Sequence, residues 1–340
     1  MKIFLTGGTG FVGSAACEHL ERAGHTCVAF DLHPFSKGVE RTFIHGDVRD
    51  LEKLIQASKG ADAILHLAAA HHDFGIDSQT FHDVNVVGTQ NVCQAMTING
   101  ISRLCFYSTV AVYGESPPPV SESTPPRPVS DYGKTKLLAE LVCEEWSKES
   151  SAHRCLVIRP TVIFGPNNFA NMYTLIRQID GGRFLRVGRM DNFKSLAYID
   201  NVVRATEELW IRKSDERQPT EIYNYVDKPD LTSIEIVDTI YSALGKRKPA
   251  LAIPYGLARM MAIPFDLVIG VTGKNLPVSS ARIKKLAKSN TQFESDRIHQ
   301  LLSEKPVPLR DGIREMVLWY RSGGKFQTVI NRRPSPLGVS

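Results

Sequence analysis

Two side chains in the stretch Tyr132-Gly133-Lys134-Thr135-Lys136 have the types and the spacing of a proton-transfer pair. On a helix, residues four apart leave the same face one turn from each other. A tyrosine normally loses its proton near about pH 10, and an ammonium one turn away favours the phenolate and lowers that pKa toward neutral. Tyr132 and Lys136 are therefore candidates for the acid/base chemistry that converts an alcohol into a ketone. Ordinary surface helices also carry this spacing by chance, so the elements that would position the pair decide its meaning.

The N-terminal residues predict a dinucleotide site. A short apolar strand, residues 2–6, runs into Thr6-Gly7-Gly8-Thr9-Gly10-Phe11-Val12-Gly13, and a helical pattern then stops at Gly24. Such glycines let the backbone turn tightly against a pyrophosphate, and the helix N-terminus attracts the anion. A second strand, residues 26–30, ends at Asp31, whose carboxylate would bind the adenosine ribose and repel a 2′-phosphate. This pattern favours NAD over NADP, and Lys37 is the nearby cation that weakens the preference.

Strand and helix patterns alternate through the first 165 residues. Further strands are predicted at residues 43–45, 63–67, 104–107 and 155–159, and a helix is predicted to begin at Asn85. This alternation predicts an α/β fold with a Rossmann-type doubly wound parallel sheet. Asp47 follows the third strand, where it would hold the adenine amino group, cap a helix starting near Leu51, or do both. Ser130 is the expected N-cap of the helix that carries Tyr132.

Composition restricts the class of protein. The 340 residues are 42% hydrophobic and 23% charged, with a net charge of +5 and no long basic run, which indicates a globular protein without a nucleic-acid partner. The six cysteines lie mostly in apolar segments and form no CxxC pair. No apolar run approaches the ~20 residues of an integral membrane span, and the ten scattered histidines form no HExxH-type metal site. Without a signal-peptide pattern, we expect a cytoplasmic protein with reduced thiols and no bound metal.

Short segments of the chain follow one another in a distinctive order. After Thr6–Gly13 and Asp31 come Asp47-Val48, His66-Leu67-Ala68-Ala69, Ser108-Thr109, the Tyr132–Lys136 stretch, Arg159-Pro160, Gly165-Pro166, Tyr198-Ile199-Asp200-Asn201-Val202 and Trp319-Tyr320. In this order they resemble the extended short-chain dehydrogenases/reductases, the NAD(P)-dependent epimerase/dehydratase family. The resemblance covers about residues 1–322.

The resemblance implies a role for each matching residue. Tyr132 is the acid/base, Lys136 holds the nicotinamide ribose and lowers the pKa of Tyr132, and Thr109 hydrogen-bonds the substrate oxygen. Ser108 lines the nicotinamide site, and a misalignment by one residue would exchange it with Thr109. Asn85 supports the backbone of the active site. The cofactor contacts implied by the matching segments are Gly7, Thr9, Gly10, Phe11, Val12, Gly13, Asp31, Asp47, Val48, Leu67, Ala68, Ala69, Asn85, Ser108, Tyr132, Lys136 and Pro160.

One departure from the family pattern narrows the reaction. Relatives that dehydrate or decarboxylate sugars usually carry an acidic residue directly after the Ser/Thr, where this chain has Val110 and Ala111. Neither side chain transfers a proton, so we expect no 4,6-dehydratase. Epimerisation, ketone reduction and alcohol oxidation remain, because each needs only Tyr132 and a hydride.

The substrate side allows three hypotheses. A nucleotide-activated sugar, as substrate of a 4-epimerase or 4-keto reductase, would contact His71 or His72, Asn167 and Lys194. An apolar alcohol such as a sterol is suggested by the apolar stretch Ala250–Gly273, which would line a pocket, dock on a membrane surface or pack as a helical lid. A dinucleotide sensor without catalysis is the third hypothesis, against which the intact Tyr132, Lys136 and Thr109 argue.

Domain organisation follows from the same segments. Residues 1–165, with 196–228 returning to them, form the expected dinucleotide-binding domain. Residues 166–195 and 229–322 form a smaller, mostly helical substrate domain, and 323–340 a flexible tail. In the manner of the family, the helices after Asn85 and Ser130 would pair two copies into a homodimer.

Overall fold

A seven-stranded parallel sheet forms the centre of the computed structural model, which describes residues 1–36, 38–71, 75–212, 218–249, 252–272, 279–280, 283 and 290–327. Its strands are β1 (Lys2–Thr6), β2 (Thr26–Asp31), β3 (Phe43–His45), β4 (Ala63–His66), β5 (Arg103–Tyr107), β6 (Arg154–Pro160) and β10 (Thr220–Tyr225). They lie side by side in the order β10-β6-β5-β4-β1-β2-β3, and each neighbouring pair is parallel. The predicted α/β doubly wound fold is confirmed.

Helices cover both faces of this sheet. In chain order, the helices of the described residues are α1 (Phe11–Arg22), α2 (Leu51–Ser58), α3 (Ser78–His82), α4 (Gly88–Asn99), α5 (Asp131–Lys148), α6 (Asn171–Asp180), α7 (Ile199–Glu207), α8 (Ser233–Leu244), α9 (Tyr255–Thr272), α10 (Asp296–His299) and α11 (Leu309–Arg321), and not all of them lie on the main sheet. Four short strands, β7 (Val162–Phe164), β8 (Phe193–Lys194), β9 (Leu196–Tyr198) and β11 (Leu231–Thr232), pair as β7–β9 and β8–β11 outside the main sheet.

Alternate side chains along the strands belong to two separate hydrophobic cores. Ile3 and Leu5 of β1 belong to one buried cluster, whereas Phe4 between them belongs to the other. Successive strand residues point to opposite faces, so the sheet is buried on both sides, as parallel sheets require. The result is a three-layer arrangement in which the carboxyl ends of the strands remain the edge open to ligands.

Side-chain caps fix where several helices begin. Ser130 accepts a hydrogen bond from the Gly133 N–H and so caps α5, as predicted. Asp50, not Asp47, caps α2 by accepting from the Lys53 N–H, so of the two roles left open for Asp47 the helix cap is wrong. Asp47 lies too far before the helix and accepts instead from Arg49.

The helix expected to begin at Asn85 starts earlier. Asp77 caps α3 through the Thr80 N–H, and a π-helical turn, Asp83–Val87, then joins α3 to α4. Asn85 therefore lies inside a continuous helical segment instead of at its start. Its side chain is buried.

The segment after β9 returns to the central sheet. Helix α7 packs on α1, and β10 adds to β6 at the sheet edge with Tyr225 opposite Pro160. Residues 323–327 of the expected flexible tail include a 3₁₀ turn, Gly324–Phe326, whose Gly324 packs on the Trp319 ring. Residues 328–340, together with Lys37 and His72, lie outside the described residues.

All six cysteines are buried and free. None of the helices in the described ranges has the length and the hydropathy that crossing a bilayer requires.

Candidate active site

The glycine turn after β1 leaves no room for side chains. A Cβ added to Gly13 would lie 2.4 Å from the Gly7 carbonyl oxygen, and one added to Gly7 would lie 2.7 Å from the Ala68 nitrogen. Gly7 also has a φ of +68°, which L residues rarely adopt. Gly10 begins α1, and no side chain among the described residues caps that helix. The first turn of α1, with Phe11 and Val12, thus presents backbone N–H groups to an anion.

Asp31 stands beside this turn at the end of β2. Its Oδ2 accepts from the Thr9 N–H at 3.2 Å, and its Oδ1 accepts from the His33 N–H at 3.3 Å. Buried Thr9 donates its hydroxyl to the His33 carbonyl at 2.9 Å. These bonds fix the carboxylate next to the glycines, which is where a bound dinucleotide would place its adenosine ribose.

Asp47 and Val48 follow β3 at the same edge of the sheet. The Arg49 guanidinium donates to Asp47 through Nε, at 3.0 Å, and through Nη2, at 2.5 Å. Val48 is buried, and a Cβ on Gly88 would lie 2.7 Å from its Cγ2, so α4 approaches this loop closely. Asp47 is therefore held in one orientation at the outer end of the site.

The Leu67-Ala68-Ala69 loop after β4 is fastened to β1. The Leu67 N–H donates to the Thr6 carbonyl at 3.0 Å, and the Ala68 N–H donates to the Thr6 hydroxyl at 3.3 Å. The imidazole of His66 lies between Thr6 and Thr89, with Nδ1 and Nε2 at 2.6 and 3.0 Å from their hydroxyl oxygens. Complete burial, with Lys136 nearby, lowers the pKa of His66 to about 3, so the ring is neutral.

Asn85 joins that loop to the helix of the proton-transfer pair. Its Oδ1 accepts from the Ala70 N–H at 2.8 Å, while its Nδ2 donates to the Ala70 carbonyl at 3.1 Å and to the Thr135 hydroxyl at 2.9 Å. One buried amide thus positions the loop after β4 and the second turn of α5 relative to each other.

Helix α5 begins directly against the turn that follows Thr109. A Cβ on Gly133 would lie 2.7 Å from the Ala111 carbonyl oxygen, so only glycine allows this approach. Tyr132, half-buried, precedes that contact, and Lys136 follows it by one turn on the same face of the helix. The structure therefore brings Tyr132, Lys136 and Thr109 to the carboxyl edge of the sheet.

Lys136 is buried with its ammonium against an aromatic face. Its Nζ lies 3.9 Å from the centre of the Phe106 ring on β5. Burial lowers the pKa of Lys136 to about 7, with the Glu140 carboxylate opposing that shift. At neutral pH this lysine sits near its midpoint, where contact with a ligand hydroxyl or a phenolate decides its charge.

Neighbouring hydroxyls of Ser108 and Thr109 have different partners. Ser108, at the end of β5, donates inward to Glu140 of α5. Thr109 caps a 3₁₀ turn, Val110–Tyr113, by accepting from the Ala111 N–H at 3.1 Å, which leaves its own proton to be donated. The Ser108 hydroxyl is therefore hydrogen-bonded inside the protein, whereas the Thr109 hydroxyl is oriented by a backbone N–H.

Four polar residues behind the site were not singled out from the sequence as parts of it. Glu140 accepts two hydrogen bonds from Arg159, and Arg159 also donates to the Tyr113 hydroxyl at 2.8 Å. Tyr113 donates in turn to the side-chain oxygen of Asn224 at 2.8 Å. Glu140 lies one turn beyond Lys136 on the inward face of α5, and that spacing is the signal that could have found it. Pro160, next to Arg159, is buried at the end of β6.

The three substrate-side candidates are dispersed around the site. His71 is exposed directly after Ala70, with Nδ1 3.2 Å from the Ala69 carbonyl oxygen. Asn167 is exposed in a left-handed turn with a φ of +67°. Lys194 is half-buried on β8, which pairs with β11. His71 is thus tied to the loop after β4, whereas Asn167 and Lys194 lie on segments outside the main sheet.

Known proteins of similar sequence cover most of this chain. A family model described as the NAD dependent epimerase/dehydratase family matches residues 3–225. The chain is 38% identical over 318 residues to an N-acetyl-alpha-D-glucosaminyl-diphospho-ditrans,octacis-undecaprenol 4-epimerase of Escherichia coli O157:H7, a match that covers 92% of this chain and 93% of that one. It is 33% identical over 215 residues to a 2-alkyl-3-oxoalkanoate reductase of Stenotrophomonas maltophilia (strain K279a), covering 60% and 64%.

Among solved structures, MoeE5 in complex with UDP-glucose and NAD aligns with a TM-score of 0.74 at 22% identity, covering 95% of this chain and 99% of that chain. At this identity the alignment shows the shared fold. Fold, site and family model together define an NAD(P)-dependent enzyme of the extended short-chain dehydrogenase/reductase type. The chain belongs to the NAD-dependent epimerase/dehydratase family.

Proposed function

We propose that this enzyme is the 4-epimerase of an N-acetylhexosamine that is joined through a diphosphate to a polyprenol. The observation that carries the proposal is the match to the undecaprenyl-diphosphate-sugar 4-epimerase, which extends over 92% of the chain. That match continues well beyond residue 225, where the family model ends, and so includes the segments that choose the substrate. The sugar nucleotide expected from the sequence shares the sugar and the diphosphate with this substrate but not the lipid.

Tyr132 takes the proton of the sugar 4-hydroxyl as C4 is oxidised to a ketone, and returns it to the oxygen as C4 is reduced on its opposite face. A nicotinamide dinucleotide, when bound, supplies the hydride acceptor and donor for C4. The Thr109 hydroxyl, oriented by the Ala111 N–H, donates to the sugar oxygen while Tyr132 holds its proton. Because one hydride leaves and one returns, the net reaction is an isomerisation without an external oxidant.

Lys136 supports Tyr132 from one turn away. Its ammonium favours the phenolate, and its burial against Phe106 keeps water from screening that effect. The Arg159–Glu140 pair holds the next turn of α5 and so fixes the direction of the Lys136 side chain. Gly133, in contact with the Thr109 turn, sets the distance between the acid/base and the hydroxyl donor.

Among the described residues, the positions directly after Thr109 hold no extra proton donor of the kind expected of a dehydratase. Val110 and Ala111 form the first turn after Thr109, and their side chains carry no proton to transfer. Glu140, the buried carboxylate behind this turn, is occupied by Arg159 and Ser108. These contacts support an epimerase over a 4,6-dehydratase.

NAD is the proposed cofactor, with NADP disfavoured. Asp31 faces the place of the adenosine ribose, where a 2′-phosphate would meet its negative charge. Two nearby arginines are committed to other carboxylates, since Arg41 donates to Glu21 at 2.8 Å and Arg49 to Asp47. Other cofactor contacts that the resemblance implies lie in the glycine turn itself, from Gly7 to Val12, and in the adjacent loop after β4, from Leu67 to Ala69.

The substrate residues follow from the proposed chemistry. Lys194 would pair with the diphosphate, and Asn167 and His71 would donate to sugar hydroxyls or the acetamide. We also propose that the dinucleotide is bound by residues 1–165 with 196–228. The substrate is bound by residues 166–195 with 229–322. We further propose a homodimer through α4 and α5, because Ile98, Leu138 and Leu141 are exposed on these two helices.

The deciding experiment offers two substrates that differ only in the carrier. The purified protein is incubated with N-acetylglucosaminyl-diphospho-polyprenol in detergent micelles and, in parallel, with UDP-N-acetylglucosamine. The sugar is released by mild acid and separated from its 4-epimer. We expect the lipid-linked sugar to be epimerised without added reductant and the UDP sugar to react at least ~100-fold more slowly.

Tyr132→Phe is the matched control for this assay. It removes only the phenolic oxygen, so we expect dinucleotide binding to remain and turnover to fall by about 10²–10⁴-fold. Epimerisation of the UDP sugar alone would assign the sugar nucleotide as substrate. A product that appears only with stoichiometric consumption of NADH would make the enzyme a reductase and refute the epimerase.

A further inference from the structure

Helix α9 is turned with its large apolar side chains toward solvent. Leu257, Met260, Met261, Ile263, Phe265 and Leu267 are between 42% and 67% exposed, and these six residues define the α9 outer face. The opposite stripe is small: Ala258 and Ala262 are buried, and Ala258 packs with Val187. A helix on a water-exposed surface normally shows the reverse pattern, with apolar residues inward and charged residues outward.

The single acidic residue of α9 lies on the inward stripe. Asp266, four residues after Ala262, accepts from the Ser280 N–H at 3.0 Å, and hydrogen bonds from the side chain and backbone of Ser280 lower the pKa of its carboxyl. Arg259 is exposed. The α9 outer face therefore carries no negative charge and is contiguous from Leu257 to Leu267, unlike the single exposed apolar residues found on most surfaces.

The sequence around α9 is strongly basic. Residues 239–293 contain nine Lys or Arg residues and one acidic residue, Asp266. Lys246 and Lys248 form ion pairs with Asp180 and Asp238, and without these two lysines the segment still has a surplus of six positive charges, 9 − 2 − 1. An apolar helical face in a stretch of sequence with this charge, with Arg259 exposed on α9 and Arg247 exposed before it, is complementary to an anionic lipid surface.

The geometry excludes a spanning arrangement for this helix. None of the helices in the described ranges meets the requirements for crossing a bilayer, and α9 contains Arg259, Asp266 and an internal Pro264. Its inward stripe is also fixed to the protein through Ala258 and Ser280. Such a helix lies in the plane of the interface instead of crossing it.

We propose that the α9 outer face docks the enzyme on the surface of an anionic phospholipid membrane. The proposal rests on the proposed function in one respect, since a polyprenyl-linked sugar resides in a membrane and a docked enzyme meets it at the headgroup level. Docking and catalysis use different residues: α9 inserts, and the site at the carboxyl edge of the sheet transfers the proton.

Vesicle flotation tests the docking without any substrate. The full-length protein is mixed with vesicles of phosphatidylcholine and phosphatidylglycerol in a ratio of about 7:3, and with phosphatidylcholine alone. We expect binding to the anionic vesicles, and weaker binding when the salt concentration is raised, because ions screen the basic segment. Wild-type protein that stays in solution with both vesicles would overturn the proposal.

Two matched leucines locate the binding surface. Leu267→Glu places a charge on the α9 outer face, and Leu318→Glu makes the same change at an exposed position of α11. We expect Leu267→Glu to lower the vesicle partition at least ~10-fold and Leu318→Glu to leave it unchanged. Circular dichroism confirms that both fold, and Met260→Glu replaces Leu267→Glu if that variant does not.

Equal flotation of Leu267→Glu and wild type would overturn the assignment to α9. A smaller oligomer for Leu267→Glu in light scattering, with no vesicle binding by wild type, would instead assign this face to a second copy.

Activity on a short-chain, micelle-dispersed substrate separates this proposal from the proposed function. Leu267→Glu should retain that activity and lose activity on vesicle-embedded substrate. A floating wild type that epimerises neither substrate would leave docking standing and refute the function.

Discussion

Arg159 holds the carboxylate of Glu140 through two hydrogen bonds, Nε to Oε1 at 2.9 Å and Nη2 to Oε2 at 2.6 Å, and both side chains are buried. The pair joins β6 to the inward face of α5, one turn beyond Lys136. Ser108, beside Thr109, donates to the same carboxylate. The Glu140 carboxylate thus connects the ends of β5 and β6 with the helix that carries the acid/base.

Glu140→Gln is expected to destabilise the protein by about 3–5 kcal/mol, because it leaves the Arg159 guanidinium buried without its counter-charge. Urea unfolding followed by circular dichroism measures this change. Glu144→Gln is the control on the same helix: Glu144 pairs with Lys148 on the surface, and its loss should cost at most about 0.5 kcal/mol. Equal unfolding midpoints for the two variants would contradict the structural role of the buried pair.

The sequence predicted much of the site because its signals are local. The glycine turn, Asp31 at the end of β2 and the Ser130 cap depend on residues within a few positions of one another, and all three lie where expected. The Glu140–Arg159 pair spans 19 residues and two elements, and nothing in either local pattern identifies the partner. Long-range pairing is decided by how α5 packs on the sheet.

Two errors near Asn85 and Asp47 have a similar origin. Competing caps are close in sequence, and Asp50 and Asp77 have the better offset from the first free N–H groups of their helices. A π turn also has no dependable sequence signature, so the pattern around Asn85 did not reveal that the helix was already under way. The buried position of the Asn85 amide could be found only from the folded chain.

Lys136→Met is expected to stabilise the ligand-free protein, most strongly at acidic pH. Burial lowers the pKa of Lys136 from 10.5 in the unfolded chain to about 7 in the folded protein. Between these values the unfolded state binds the extra proton, so wild-type stability rises as the pH increases from about 7 to 10.5, and the full penalty is present below pH 7. Thermal unfolding of both proteins at pH 6, 8 and 10 measures the difference.

We expect Lys136→Met to gain on the order of 3 kcal/mol at pH 6 and little at pH 10, since the cation–π contact with Phe106 offsets part of the burial cost. Lys134→Met is the control, because Lys134 is exposed on the same helix and pairs weakly with Asp131 at 4.0 Å. A gain for Lys136→Met that does not depend on pH would show that the ammonium is not desolvated.

His66→Gln is expected to flatten the acid dependence of stability. Burial lowers the pKa of His66 from 6.5 to about 3. Between these two pH values the imidazole is therefore protonated in the unfolded chain and neutral in the folded protein. Wild-type stability must fall as the pH decreases from 6.5 toward 3, by roughly 1.4 kcal/mol per pH unit from this residue. Glutamine keeps polar atoms near Thr6 and Thr89 but does not titrate.

Urea unfolding at pH 6.5, 5.5 and 4.5 compares the slopes. His45→Gln, an exposed position on β3, is the control and should follow the wild-type slope. Identical slopes for His66→Gln and wild type would mean that the imidazole is protonated in the folded protein.

Gly13→Ala is expected to weaken dinucleotide binding through one methyl group. The added Cβ would lie 2.4 Å from the Gly7 carbonyl oxygen and 2.6 Å from Gly8 backbone atoms, so either α1 or the turn must shift. That shift displaces the N–H groups meant for the pyrophosphate, and we expect the Kd for NADH to rise at least ~10-fold.

Gly10→Ala, whose Cβ would lie 3.2 Å from the Gly7 oxygen, should have a smaller effect. Gly256→Ala on α9 meets nothing within 4 Å and should leave the Kd unchanged. Fluorescence titration with NADH measures all three, and unchanged affinity for Gly13→Ala would place the pyrophosphate elsewhere.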